Sequence, residues 1–326
     1  MHPPPRPFEI PELIHELLGY LHDSELAMCA SVDQFWRHAA RPRLFGNITI
    51  HSDKKCVRFL RILSTSPDIS TFVVRLDVYP AVLSPQSFAA LVQLPFPQVC
   101  VLCCNLCFRL GYSPMDRDFE LSTTFVDGIQ RLLGLPRLHS VELQCRYDDP
   151  RLLWHCAALS IRHVWLSCIA VQGPVMPHVP EARLQRIPLK SLNVWGPVSL
   201  NDWLGGGRSP FDVAQLEVLH LRSSTSLKLL RMTALAPAAA SLKTLNVKAP
   251  WAKGEVDLSA YKRLESFRVC CHSPSYLSSL EDALMTIPTE NHIREIVVYG
   301  SPSPHIEDYL TEITRLWLGK IQVQSY

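Results

Sequence analysis

The sequence predicts an α/β chain in two unequal parts. A short helical module over residues 10–50 leads into an irregular solenoid of repeats with a parallel concave sheet, over 51–305. A flexible Pro-rich segment (1–9) would precede the module, and a capping helix with a tail (306–326) would close the array. Three observations carry this reading. Residues 10–50 hold more apolar side chains, at helical spacing, than so small a unit buries alone. After them, one aliphatic-x-x-aliphatic-x-aliphatic unit recurs nine times. Helix-like segments punctuated by Pro or Gly separate these units.

In the module, Leu13, Ile14, Leu17, Leu18 and Leu21 form one broad stripe on a first helix. Pro11 suits a first helical position, where a missing N–H is no loss, and Glu12 favours the positive end of the dipole. Asp23 is a capping residue for a second helix that carries Leu26, Met28, Cys29 and Val32. A third helix is expected over 33–41, with Phe35, Trp36 and Ala39 apolar and Pro42 as its stop.

Read in order, the module contains Ile10-Pro11-Glu12-Leu13-Ile14, then Leu17, Leu18 and Leu21, then Asp23-Ser24-Glu25-Leu26. Val32-Asp33-Gln34-Phe35-Trp36 and Leu44-Phe45 follow. This order and spacing resemble an F-box, the adaptor-binding module of SCF-type ubiquitin ligases. Ile10 replaces the usual Leu, and Asp33-Gln34 the usual Cys-Lys. The resemblance covers about an eighth of the chain. It implies docking on the adaptor subunit, and through it on a cullin scaffold. Pro11, Leu13, Ile14, Leu17, Leu21, Leu26, Val32 and Trp36 would be the contacts buried there. Leu44, Phe45 and Ile48 would instead face the array.

The repeated unit appears as Val73/Leu76/Val78, Phe96/Val99/Val101, Leu138/Val141/Leu143, Ile161/Val164/Leu166 and Leu189/Leu192/Val194. It continues as Leu216/Leu219/Leu221, Leu242/Leu245/Val247, Leu264/Phe267/Val269 and Ile293/Ile296/Val298. Successive first positions lie 22 to 29 residues apart, except for one step of 42 that contains a polar insertion at 111–124. Helices are expected over 56–63, 87–94, 126–133, 227–235 and 276–287. Strand, turn and helix at this period make a right-handed solenoid with a parallel sheet. The array resembles the leucine-rich repeats that commonly follow F-boxes, with one departure. The Asn or Cys expected three residues after the last aliphatic is met only by Cys104, so the curvature should be irregular. Over 306–318, Ile306, Leu310, Ile313 and Trp317 share one helical face and suit a cap for the open end.

Composition narrows the class. Of the 326 residues, 47% are hydrophobic and 19% charged, as in folded soluble proteins. A net charge of +2 gives no support to nucleic-acid binding. Residues 1–7 lack the apolar core of a signal peptide. The longest apolar stretch, 99–110, is broken by Asn105 and Arg109 and is too short to span a bilayer. Eleven cysteines without a secretion signal read as reduced thiols of the cytosol or nucleus, with no membrane partner.

The search for chemistry yields no enzyme, metal or cofactor. Cys100, Cys103, Cys104 and Cys107 have zinc-like spacing, but side chains along a strand alternate between faces and do not converge on one ion. His155, Cys156 and His163 lack a group to orient a base. Gly205-Gly206-Gly207-Arg208-Ser209 matches no phosphate-binding loop and reads as a surface loop. What a solenoid offers is its sheet face, where outward rows run from Arg75, Asp77, Tyr79 and Gln98 to Glu295 and Tyr299. Trp165, Trp195, His220, Arg222, Lys248 and Arg268 form the candidate target-binding patch, because exposed Trp and Arg are enriched at interface hot spots. Its charge suits an acidic or phosphorylated element. The function expected is therefore a non-catalytic substrate receptor of an SCF-type ligase. A repeat scaffold acting outside any ligase is the alternative.

Overall fold

The structure is a computed structural model. It describes residues 11–105, 123–144, 160–167, 186–195, 211–221, 235–248, 256–271, 277–288, 290, 292–300 and 321–325. The chain is mixed α/β and divides into two units, Met1–Leu138 and His139–Tyr326.

The first unit opens with α1 (Pro11–Leu17), prolonged by a 3-10 turn at Leu18–Tyr20, then α2 (Asp23–Val32) and α3 (Gln34–Gly46). Asp23 is not the cap of α2 but its first residue. His22 holds the cap position, and its N–H donates to Glu25 at 2.8 Å, so the carboxylate three residues into the helix closes that end. Asp33 does cap α3, accepting from the Trp36 N–H at 2.9 Å. Pro42 does not stop α3, which runs four residues further. Proline removes one helical hydrogen bond. Here the next turn packs in compensation: Leu44 lies on the module core and Gly46 is buried. Arg43 also reaches back to donate to the carbonyl of His15 on α1. Tertiary contact outweighs the local breaker.

The module core is small. Ile14, Leu18, Leu26 and Ala40 are buried, with Leu21, Cys29, Ala30, Trp36, Ala39 and Leu44 partly buried against them. Leu44, expected to face the array, thus serves the module itself. Residues 47–50, assigned to the helical module, form a strand instead, β1 (Asn47–Ile50). It pairs in parallel with β2 (Arg75–Val78), and β2 with β3 (Val101–Asn105).

Between these strands run α4 (Asp53–Thr65) and α5 (Pro85–Val92), with α6 (Thr123–Leu133) after β3, matching the three helices expected there except that α5 ends two residues early. Ser52 and Ser84 cap α4 and α5, accepting from the Lys55 and Ser87 N–H groups. Asp53 accepts from both the N–H and the hydroxyl of Ser84 at 2.9 Å. Hydrogen bonds from the Ser84 backbone, Ser87 and the Ser84 hydroxyl hold its carboxyl below the usual carboxylate range. Beside it, burial and the Asp53 charge push the Cys56 thiol up to about 11.

The β3 repeat is displaced from its expected register. Pairing sets Leu76 against Leu102 and Val78 against Cys104, so the inward set is Val99, Leu102 and Cys104, not Phe96, Val99 and Val101. Cys104 is therefore the last inward residue of a strand and not the turn residue of its repeat. Val101 and Cys103 take the other face, and Gln98 precedes the strand. Its run of apolar residues fits either register by pattern alone, and pairing with β2 selects one.

The second unit is built on parallel strands. They are β4 (Ser140–Gln144), β5 (His163–Ser167), β7 (Ser191–Trp195), β9 (Val218–Leu221), β10 (Thr244–Lys248), β11 (Ser266–Cys271), β12 (Glu295–Gly300) and β13 (Ile321–Ser325). Each pairs with the next in that order. Two short strands, β6 (Ile187–Pro188) and β8 (Phe211–Asp212), pair apart from this sheet and bury Ile187 and Phe211. The aliphatic triads that open seven of these repeats, from Leu138/Val141/Leu143 to Ile293/Ile296/Val298, are all buried.

Helix α7 (Leu277–Met285) lies in the expected segment 276–287. The helix expected over 227–235 falls almost wholly outside the described residues, as does that over 306–318. The tail expected after the latter instead supplies β13. Among the described residues no helix is long and apolar enough to cross a membrane.

Candidate functional site

Two surfaces hold the residues singled out from the sequence, one in each unit.

On the module, the eight candidates separate by burial. Ile14 and Leu26 are buried in the module's own core, and Leu21 and Trp36 pack against it. Ile14 and Leu26 are therefore not free to insert into a partner. They hold the helices together. Leu13, Leu17 and Val32 are 43%, 49% and 69% exposed. Tyr20, Met28 and Phe35, which the candidate set had left out, are exposed with them. Helical periodicity explains the split. A stripe as broad as Leu13, Ile14, Leu17, Leu18 and Leu21 exceeds what one small core covers, so Ile14 and Leu18 turn inward and Leu13 and Leu17 do not. Pro11 begins α1, and its side chain lies outside the described residues.

In the second unit, backbone pairing sets Glu142, Trp165, Asn193, His220, Asn246 and Arg268 in one row across the sheet. Trp195 stands one row along, aligned with Ser167. Lys248 aligns with Cys270. The two tryptophans thus sit on adjacent strands, and Trp195 is half exposed. Arg268 is already committed, donating to Glu295 at 3.1 Å and to Ser266 at 3.2 Å. The Ser266 hydroxyl, then Arg268, hold the Glu295 carboxyl below the usual range. Arg222 lies outside the described residues, with His155, Cys156 and residues 205–209. Within the Cys100–Cys107 run, Cys103 and Cys104 are both buried at successive positions of β3, and Cys107 lies outside the described residues. Among the described residues no cluster of three or more His, Cys, Asp or Glu is placed to hold a metal.

One regular feature escaped the sequence reading. In the main sheet of the second unit, the residue just before each strand from β4 to β12 is titratable: His139, Arg162, Lys190, Glu217, Lys243, Glu265 and Arg294. The His139 carbonyl accepts from the N–H groups of Arg162 and His163, and the Arg162 carbonyl from Lys190 and Ser191. The same fork repeats at Lys190, Glu217, Lys243 and Glu265. These shared carbonyls line the seven residues up along one end of the sheet. Neighbouring strands are about 4.8 Å apart, so adjacent charges meet. Lys243 donates to Glu217 at 2.8 Å, while Lys190 stands 3.7 Å from it. The Lys243 hydrogen bond is the main cause holding the Glu217 carboxyl below its usual range. His139 and His163 meet edge to face, ring centres 6.1 Å apart. Burial, then the charges of His139 and Lys190, push the His163 pKa down.

A scan of protein-family models and a search of curated proteins return no match for the chain.

Proposed function

We propose that the chain is a non-catalytic substrate-recognition subunit of an SCF-type ubiquitin ligase. In this reading the module engages the adaptor, and the repeats form an irregular solenoid whose sheet face holds a target protein. The contribution to ubiquitin transfer is proximity and orientation, with no bond-making group supplied by this chain. One observation carries the reading. The module keeps Leu13, Leu17 and Val32 exposed although it has apolar core to build, and exposed apolar surface of this kind marks interaction sites. The F-box-like order of its residues says what kind of partner fits. Ile14, Leu26 and Trp36 act within the module, fixing the angle at which α1 and α2 present the exposed residues.

The test is co-purification with the ligase adaptor of the full chain and of a Leu17→Asp/Val32→Asp variant. Both positions are exposed, so the variant is expected to fold as the parent does. Capture by the parent and loss in the variant is the expected result. A parent chain that never captures the adaptor ends this reading and leaves the repeat scaffold.

A further inference from the structure

On the outer face of the second unit's sheet, several polar side chains are tied to one another. Ser266 and Arg268 on β11 both donate to Glu295 on β12, at 2.8 Å and 3.1 Å, and on β4 Gln144 donates to Glu142 at 2.8 Å. Strands β7 and β10 differ. Among the described residues, Asn193, Trp195, Asn246 and Lys248 make no side-chain hydrogen bond, ion pair or ring contact. Asn193, Asn246 and Lys248 are partly buried, and Trp195 is half exposed. Enclosed polar atoms ordinarily find a partner, and the Asn193 side-chain oxygen has none. Its amide N–H groups are not enclosed with it, so they are what that residue presents to a ligand.

These four groups are regularly spaced. Asn193 and Asn246 lie in one row, in register through His220 on β9 between them. Trp195 and Lys248 each lie two residues further along the same strands. Two strand spacings put about 9.6 Å between the members of each pair, and two residues of strand put about 6.6 Å between the pairs. A segment lying across the strands therefore meets an amide donor about every 9.6 Å, with an indole and then an ammonium beside it. A polyproline II chain turns once in three residues and rises about 9.3 Å in doing so. A β-extended chain repeats every two residues, about 6.6 Å, and does not match. The chemistry agrees with the spacing. Amide N–H groups, an indole N–H and an ammonium are donors, and a proline-rich chain offers carbonyls but no N–H at its prolines.

We propose that the outer face of β7 and β10 binds a proline-rich segment of a target protein, held as a polyproline II helix across the strands. Asn193 and Asn246 donate to carbonyls three residues apart. The Trp195 indole packs on a proline ring, and Lys248 takes the carboxylate of an acidic residue three positions from that proline. The inference rests on the target-holding part of the proposed function and is independent of adaptor binding. Of the patch expected from the sequence it keeps Trp195 and Lys248 and adds the two asparagines. Arg268 is left to its ion pair with Glu295.

Such a ligand also loses little freedom on binding. Proline fixes φ before association, so a proline-rich segment is ordered at lower entropic cost than a flexible one of equal length. An exposed aromatic ring beside amide donors is the combination that recognises this conformation.

The experiment uses the full chain and a fluorescein-labelled nonapeptide of proline carrying one glutamate at its sixth position, read by anisotropy. A counterpart with glutamine at that position, and one with glycine and serine in place of the prolines, serve as comparisons. The glutamate peptide is expected to bind roughly tenfold tighter than the glycine–serine peptide and roughly threefold tighter than the glutamine peptide. Asn193→Ala/Asn246→Ala should weaken the proline peptides about tenfold, and Trp195→Ala by a similar factor. Lys248→Gln should remove the preference for glutamate over glutamine. Lys248→Glu should instead favour a lysine counterpart of the peptide, a reversal that a folding defect cannot produce. Failure to bind the proline peptides overturns the proposal. So does equal affinity for the glycine–serine peptide, binding untouched by the asparagine and tryptophan substitutions, or a charge preference that Lys248→Glu does not reverse. Each can occur while the adaptor is still captured, and peptide binding can persist when adaptor capture fails, so the two failures are distinguishable.

Discussion

The same aliphatic residues meet opposite fates in the module and in the strands of the second unit. In α1 to α3 the fully enclosed core is Ile14, Leu18, Leu26 and Ala40, while Leu13, Leu17 and Val32 remain exposed. In the second unit every aliphatic triad, from Leu138/Val141/Leu143 to Ile293/Ile296/Val298, is buried. Propensity does not explain this, since leucine dominates both. Supply of neighbours does. A strand between two parallel strands gains a matching residue on either side, so Phe267 sits in register with Leu245 and Ile296. Three short helices enclose only what lies between them. The strands complete their own burial, and the module is left with exposed apolar surface at Leu13, Leu17 and Val32.

Core truncation tests this contrast most severely. Phe267→Ala removes a fully buried ring and is expected to cost about 3–5 kcal/mol. Leu17→Ala removes a half-exposed side chain and should change stability by less than about 0.5 kcal/mol. Urea unfolding midpoints of the two variants would show the gap. Comparable losses would mean that the outer stripe of α1 is covered within the chain, and the contrast would collapse.

A smaller effect separates local propensity from packing within the first unit. Gly128 lies inside α6, where alanine is favoured by up to about 1 kcal/mol. A Cβ there would stand 2.6 Å from Cε1 of Phe88, a ring that is itself buried and stacked on Phe125. Gly128→Ala is therefore expected to destabilise by about 1–3 kcal/mol despite the better helix residue. A thermal midpoint at or above that of the parent would show that α5 and α6 yield without strain.

The sequence made legible whatever combines a period with burial. Eight of the nine proposed triads coincide with buried residues, because an inward residue in a stacked strand is apolar almost without exception. The ninth slipped by three residues because Val99 to Cys104 is apolar throughout, and only pairing with β2 distinguishes the registers. Pro42 misled for a different reason: the rule for proline is local, whereas Leu44 and Arg43 hold the next turn of α3 from outside it. For β13 the alternation of Ile321, Gln322, Val323, Gln324 and Ser325 is a strand signal, although these residues lie in the segment expected as a tail. The candidate site was half readable. Trp165 and Trp195 stand out as aromatic residues at outward positions. His139, Lys190 and Glu217 do not, since they precede the strands and fall outside the aliphatic unit that marks each repeat. Their recurrence across the seven repeats of the second unit is the available clue. The split of the module candidates into inner and outer residues needed helix packing, which spacing alone does not supply.

A mid-sized prediction concerns how α3 is held. Asp33 accepts from the Trp36 N–H. Asp33→Ala should cost about 1 kcal/mol by exposing that donor at the start of the helix. Asp33→Asn retains an acceptor and should recover most of the loss. If the contrast between module and strands is sound, the alanine variant also weakens adaptor capture, because α3 positions the exposed residues of its neighbours. An unchanged unfolding midpoint in the alanine variant would mean that the cap contributes nothing to the module.

The smallest effect lies at Glu217, in the line of charges that precedes the strands of the second unit. The hydrogen bond from Lys243 lowers its pKa on folding, with Lys190 assisting. A carboxyl with a depressed folded pKa adds stability above its unfolded value of about 4.3, and that stability is lost as pH falls through the folded value. Because both lysines are substantially exposed, solvent screens the pair, and the gain is at most about 1 kcal/mol at neutral pH. Glu217→Gln should therefore lower the unfolding midpoint slightly at pH 7 and not at all near pH 3. An unchanged unfolding midpoint at pH 7 would show that the ion pairs of Glu217 add nothing to stability.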